Sequence, residues 1–107
     1  MSSRSSAAAP VFAALGDETR LELVGRLSAK GPQSIARLAK GSTVTRQAIT
    51  KHLEVLAGAG LISGKRAGRE RIFALEPDGF VSAVAFLERV SARWDDALER
   101  LRKLVED

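Results

Sequence analysis

Three observations predict a mainly α-helical fold that carries one two-stranded β-hairpin. Residues 43–62, TVTRQAITKHLEVLAGAGLI, place Ile49, Leu53 and Leu56 at helical spacing, and the polar residues Thr45, Arg46, Gln47, Thr50 and Lys51 crowd the start of the same helix. Directly afterwards, LISGKRAGRERIFAL reads as two short strands joined by a basic tip. The remaining C-terminal residues form one long amphipathic helix. A helix-turn-helix followed by a basic hairpin is a winged helix-turn-helix, here with about five helices.

The elements follow in order. Residues 1–9, MSSRSSAAA, are expected to be a disordered tail, and residues 10–107 one winged-helix domain with dimerisation helices at both ends. PVFAAL at residues 10–15 is a short apolar helix ended by Gly16. Asp17 suits the N-cap of a second helix, with Glu18 in the first turn, where the helix dipole favours an anion. That helix, ETRLELVGRLSA, places Leu21, Val24 and Leu27 on one face and stops at Lys30-Gly31-Pro32. Its charges, Glu18 and Glu22 alternating with Arg20 and Arg26, read as a solvated surface.

Ser34 caps a short third helix over residues 35–40 that buries Ile35 and Leu38, and Gly41-Ser42 makes the turn. Thr45 starts the fourth helix, which ends near Gly58-Ala59-Gly60. Strands are predicted over residues 61–65 and 71–75, connected by residues 66–70, with Gly68 giving the freedom that a tight connection needs. Pro77 fits the first turn of the last helix, where its missing N–H goes unused.

The last helix carries a heptad seam. Phe80, Val84, Leu87, Ser91, Trp94, Leu98, Leu101 and Val105 step by alternating four and three residues. A helix of about 28 residues extends roughly 42 Å, longer than so small a domain covers by itself. The expected use is a dimer interface built with the first helix, through Phe12, Leu87, Val90, Trp94, Leu98 and Leu101. A helix packed lengthwise on its own domain is the other arrangement this pattern allows.

Charge separates along the 107-residue chain. Residues 1–75 hold 12 Lys and Arg against 5 Asp and Glu, whereas residues 76–107 hold 5 against 8. The excess of cations therefore accompanies the recognition helix and hairpin, which points to a polyanion as partner. Arg46 and Gln47 are side chains that pair at two points with guanine and adenine, and Thr50 reaches a phosphate or a thymine methyl. Thr45, Arg46, Gln47, Thr50, Lys51 and His52 are the candidate DNA-binding residues of the helix. Lys65, Arg66, Arg69 and Arg71 are those of the hairpin, Arg71 having a partner in Glu70 or a neighbouring strand as its alternative.

Other chemistries find little support. The chain has no cysteine and one histidine, His52, so a usual transition-metal site within one subunit is not expected. Asp95, Asp96 and Glu99 are better explained by the ion pairs Asp96–Arg100 and Glu99–Lys103 than by a cation cage. No Gly-rich phosphate loop, nucleophile with a nearby base or paired carboxylates appears, so no catalytic residue and no cofactor is expected. Without a long apolar run or a signal-peptide pattern, a cytoplasmic protein is expected.

Taken in order, ALGDETRLELVGRL, TRQAITKHLEVLAGAGLI, GKRAGRERIFALEP and WDDALERLRKLVE resemble the ArsR/SmtB family of winged-helix repressors over about residues 10 to 105. They look most like its metal-independent branch. The resemblance implies a homodimer joined through its first and last helices, repressing by occlusion of an inverted repeat in double-stranded DNA. Metal-sensing members carry a cysteine motif in the third helix, or His and Asp ligands on the last. Here the first place reads SIARLAKG and the last helix has neither His nor Cys, so metal sensing is not carried over. Control then requires a small-molecule or protein effector that binds the two dimer states differently, or simple autorepression. The alternative function is a winged-helix protein-interaction module with only non-specific DNA affinity.

Overall fold

The computed structural model describes residues 3–106. Its central body begins at helix α2 (Glu18–Lys30), where the Asp17 carboxylate accepts the Arg20 backbone N–H at 3.0 Å and so satisfies one of the donors a helix start leaves unpaired. A two-residue strand β1 (Gln33–Ser34) follows, then α3 (Ile35–Ala39), capped by the Ser34 hydroxyl, which accepts the Arg37 N–H at 3.2 Å. Helix α4 (Arg46–Gly58) is capped by Thr45. Its Ile49, Leu53 and Leu56 are almost wholly buried, packed with Leu23, Leu27, Leu38, Leu61 and Phe73. The helical spacing read from the sequence thus forms the floor of the core.

Helix α2 buries a face that overlaps the expected one at Leu27 but is turned toward Leu23. Leu23 and Leu27 point inward, Val24 is half-buried, and Leu21 is 54% exposed. Apolar residues lie on both sides of this helix, so periodicity alone does not choose between them. Packing against α4 and the sheet selects the i,i+4 pair Leu23 and Leu27.

Strands β2 (Ile62–Ala67) and β3 (Glu70–Leu75) form the hairpin, and β1 adds to the other side of β3, giving the antiparallel order β1-β3-β2. The register pairs Ile62 with Leu75, Gly64 with Phe73 and Ala67 with Glu70. The connection expected over residues 66–70 therefore shrinks to Gly68-Arg69. Gly68 has φ +64° and Arg69 is not among the residues of positive φ, the combination that a type II′ turn requires. Strand β1 went unpredicted because two residues carry no periodicity. Only the register Gln33↔Phe73 and Ser34↔Ile72 makes them a strand.

The outer layer consists of α1 (Ser3–Leu15) and α5 (Val81–Glu106). Helix α1 begins seven residues before its expected start, so residues 3–9, read as a tail, are helical from Ser3 onward. Ala7, Ala8 and Ala9 are strong helix formers, and Ala8, Val11 and Ala14 are buried along one side. Pro10 lies inside the helix, where it removes one backbone donor. The turns of α1 lie against the first part of α5. Phe12 meets Phe86 edge-on with ring centroids 5.7 Å apart, and the Ser82 hydroxyl donates to the Ala7 carbonyl.

Pro77 opens a separate 3-10 turn (Pro77–Phe80) ahead of α5 rather than the first turn of α5 itself. A Cβ at Gly79 would overlap the Gly60 carbonyl, so this turn packs directly on the backbone corner after α4. The 26 residues of α5 extend roughly 39 Å. In a molecule measuring 67 × 30 × 20 Å, the helix projects well past α1. Among the described residues, no helix is long and apolar enough to cross a membrane.

Candidate nucleic-acid interface

On α4, the structure separates the predicted residues into two groups. Arg46, Gln47 and Lys51 are exposed and make no hydrogen bond through their side chains among the described residues. Thr45 is exposed as well, its Oγ1 accepting the Ala48 N–H at 3.1 Å, which leaves the hydroxyl proton for an outside acceptor. Thr50 donates to the Arg46 carbonyl at 3.0 Å, one turn back along the helix, so its own proton is already used. His52 follows Lys51 and is half-buried. Its Nδ1 lies 3.2 Å from Arg20 Nη1 and 3.7 Å from Asp17 Oδ2, in the groove between α4 and the start of α2.

The hairpin brings Lys65, Arg66, Arg69 and Arg71 together at an exposed tip. Alternation along the strands places Arg66 and Arg71 on the same face as Gly64 and Phe73, and Lys65 on the opposite face beside Ile72. Arg66 and Arg71 are direct cross-strand partners. Two cations in that relation repel unless an anion lies between them. Arg71 does not pair with Glu70. Its guanidinium stands 5.0 Å from the centroid of the Phe73 ring, a cation–π contact that anchors it at the edge of the core. Arg66, Arg69, Glu70 and Arg71 line a shallow concavity of about 420 Å³.

Two arginines that the sequence placed on a solvated face are structural braces. Arg26 donates to the Leu38 carbonyl at 2.6 Å and to the Arg37 carbonyl at 2.9 Å, satisfying the C-terminal end of α3. Arg20 donates from Nε to the Ala14 carbonyl at 2.6 Å, near the end of α1, while Nη1 reaches His52. These contacts hold α3 and α4 in a fixed relation to α2. Nothing in the alternation of Glu and Arg along α2 distinguishes them from surface charges, because their partners lie on other elements.

Asp17 completes this junction. Its carboxyl is held below the usual carboxylate range, first by the Arg20 backbone N–H; loss of hydration opposes this, and the charges of His52 and Arg20 and the Thr19 backbone N–H add to the lowering.

The residues expected at a dimer interface divide in the same way. Leu87, Trp94, Leu98 and Leu101 are 54%, 65%, 54% and 57% exposed. Phe12 and Val90 are half-buried within the chain, Phe12 against Phe86. In the acidic part of α5, Glu99 pairs with Arg102 at 3.4 Å rather than with Lys103. Among the described residues, no three His, Cys, Asp or Glu side chains are grouped so that they could hold a metal ion.

A helix-turn-helix domain family matches residues 15–64, the stretch from the end of α1 into β2. The chain is similar to the HTH-type transcriptional regulator Rv2034 of Mycobacterium tuberculosis, with 37% identity over 93 residues that span 87% of this chain and 83% of the relative. Similarity to the uncharacterized HTH-type transcriptional regulator YuzN of Bacillus subtilis reaches 41% over 75 residues, 63% of this chain and 82% of that one. Among solved structures, an ArsR-like transcriptional regulator from Rhodococcus sp. RHA1 superimposes with a TM-score of 0.77 at 36% identity, over 96% of each chain. The ArsR family transcriptional regulator RHA00566 gives 0.75 at 32% identity, over 85% of this chain and 93% of its own.

Proposed function

We propose, from the premise that this chain belongs to the ArsR family of helix-turn-helix transcriptional regulators, that it acts as a homodimeric repressor reading an inverted-repeat operator in the cytoplasm. As a member of that family it is a transcriptional regulator with a DNA-binding helix-turn-helix. The observation that carries the finer reading is the wing. Arg66 and Arg71 oppose each other across the hairpin with Arg69 in the turn between them, an arrangement that is relieved by phosphate.

In this reading Arg46, Gln47 and Lys51 meet base edges in the major groove, with Thr45 donating to a phosphate at the helix start. Lys65, Arg66, Arg69 and Arg71 neutralise the backbone alongside, so affinity falls steeply with salt. The exposed stripe of Leu87, Trp94, Leu98 and Leu101 closes against a second copy. Pairing in that way sets the two recognition helices roughly 34 Å apart, one turn of DNA. Transcription is blocked by occupancy of the operator, and release follows a small apolar or protein effector that favours the DNA-incompetent dimer.

A salt titration of binding to the DNA upstream of the protein's own gene, against a scrambled duplex, tests the proposal. The expected result is a footprint over an inverted repeat, two chains per site, with binding to the scrambled duplex weaker and lost at lower salt. Equal, weak binding to both duplexes would overturn it in favour of a protein-interaction module.

A further inference from the structure

We propose that Arg20 is a positioning residue for the DNA-reading helix: it fixes His52 as the neutral Nε2–H tautomer and presents that N–H to a backbone phosphate. The inference rests on the reading of α4 as the helix that meets DNA.

The geometry at the junction is one-directional. A guanidinium carries donors only, so the 3.2 Å contact between Arg20 Nη1 and His52 Nδ1 makes Nδ1 the acceptor. A neutral imidazole that accepts at Nδ1 carries its proton on Nε2. The imidazole side chain is 22% exposed. Among the described residues Nε2 has no hydrogen-bond partner, and Arg89 Nη1 is the one buried side-chain nitrogen or oxygen without one. Nε2 therefore reaches solvent. His52 directly follows the exposed Lys51 on α4 and is itself half-buried.

Arg20 itself has little freedom. Its Nε is held by the Ala14 carbonyl at 2.6 Å, and its backbone N–H by Asp17 at 3.0 Å. One residue thus ties the end of α1, the first turn of α2 and the middle of α4 into a single unit. Among the described residues, the charged groups in contact with the ring are Asp17, the N-cap of α2, and Arg20 in its first turn, and α1 contributes only a carbonyl that holds Arg20. A ring without Arg20 would be free to turn or to take the other tautomer, with Nδ1–H directed at Asp17. The outward donor would then be lost.

His52 is the only histidine, so the ring signals in a protein labelled with 15N-histidine report it without assignment. In the free wild-type chain at neutral pH, Nε2 is expected to appear protonated and Nδ1 unprotonated, and R20M, which cannot donate, is expected to give a mixture. R20K retains one donor and keeps the wild-type tautomer in part, which covers the case in which R20M does not fold. An Nδ1–H ring in the wild type, or an unchanged ring in a folded R20M, overturns the positioning role.

Binding to a mixed-sequence 30-base-pair duplex and to the protein's own upstream DNA forms the second arm. R20M and H52A are each expected to weaken both by about 10-fold, the scale of one hydrogen bond to a charged group. The double variant is expected to lose no more than either single one, because the two residues act as a unit. H52Q, whose amide N–H reaches near the place of Nε2, should recover most of the loss. Binding that survives H52A, or losses that multiply, would overturn the phosphate contact alone. A wild-type chain that binds neither duplex would overturn the contact together with the DNA-reading assignment, and the tautomer result separates the two failures.

Discussion

The central body and the α1–α5 layer use the same apolar residue types to opposite ends. In the body, Leu38, Leu53, Leu56 and Leu61 are fully buried, and charge is carried outward on α4 and the hairpin. On α5, Leu87, Trp94, Leu98, Leu101 and Leu104 are more than half exposed, and Ala83 is the one residue fully covered. The body has closed its core on itself. The outer helix carries an apolar stripe that the described residues leave exposed. An α-helix 26 residues long, with one face this apolar, gains more by packing against another surface than by standing in water. The comparison teaches that the closed core and the exposed apolar stripe lie in separate regions, and four measurements can break or sharpen it.

The largest effect is expected in the body. Leu53→Ala should cost about 2–5 kcal/mol in urea or thermal unfolding, because its neighbours cannot collapse fully into the space left. Leu98→Ala should cost the isolated chain far less. Equal losses at the two sites would mean that α5 is covered within one chain, and the contrast would fail.

The second effect belongs to the outer layer. Trp94→Glu places a charge in the middle of the exposed stripe and should weaken the proposed self-association by about 2 kcal/mol, roughly 30-fold, while leaving helix content unchanged. Light scattering across a concentration series would show monomers. A variant that remains dimeric would remove Trp94 from the interface.

Within the charged surface, Gln47 and Arg69 should differ in kind. Gln47→Ala is expected to relax discrimination between matched and mismatched operators by about 1–3 kcal/mol. Arg69→Ala should weaken all duplexes alike and lower the salt slope by about 1. Uniform losses by Gln47→Ala would place that residue on the backbone instead of a base.

The smallest effect is at the junction of the two regions. Asp17 has its folded-state pKa lowered from 3.8 by the Arg20 N–H and the neighbouring charges. A group depressed in this way contributes stability above its unfolded pKa and loses it as pH falls through the folded value. Wild-type stability should therefore carry an Asp17 component that disappears below about pH 4, and Asp17→Asn should flatten that part of the acid-unfolding curve. An unchanged acid limb in Asp17→Asn would show that the cap does not respond to charge.

How much of this was legible before folding follows from the reach of each interaction. The caps at Asp17, Ser34 and Thr45 each act over three residues, so the sequence announces them. The Ile49, Leu53 and Leu56 face, the basic hairpin around Gly68 and the apolar stripe of α5 are likewise written at local spacing. The exposed members of the candidate interface, Arg46, Gln47, Lys51 and the hairpin cations, could be named because solvent-facing residues need no partner to define them.

Tertiary structure decided the rest. It chose Leu23 over Leu21, paired Gln33-Ser34 with β3, extended α1 back to Ser3, stacked Arg71 on Phe73 and turned His52 toward Arg20. Arg20 and His52 lie 32 residues apart, Arg26 and Leu38 lie 12 apart, and Ser82 and Ala7 lie 75 apart. Periodicity and capping signals extend over a few residues. Contacts across such separations exist only once packing has brought the elements together, so a charge on α2 reads as solvated until its partner is in place.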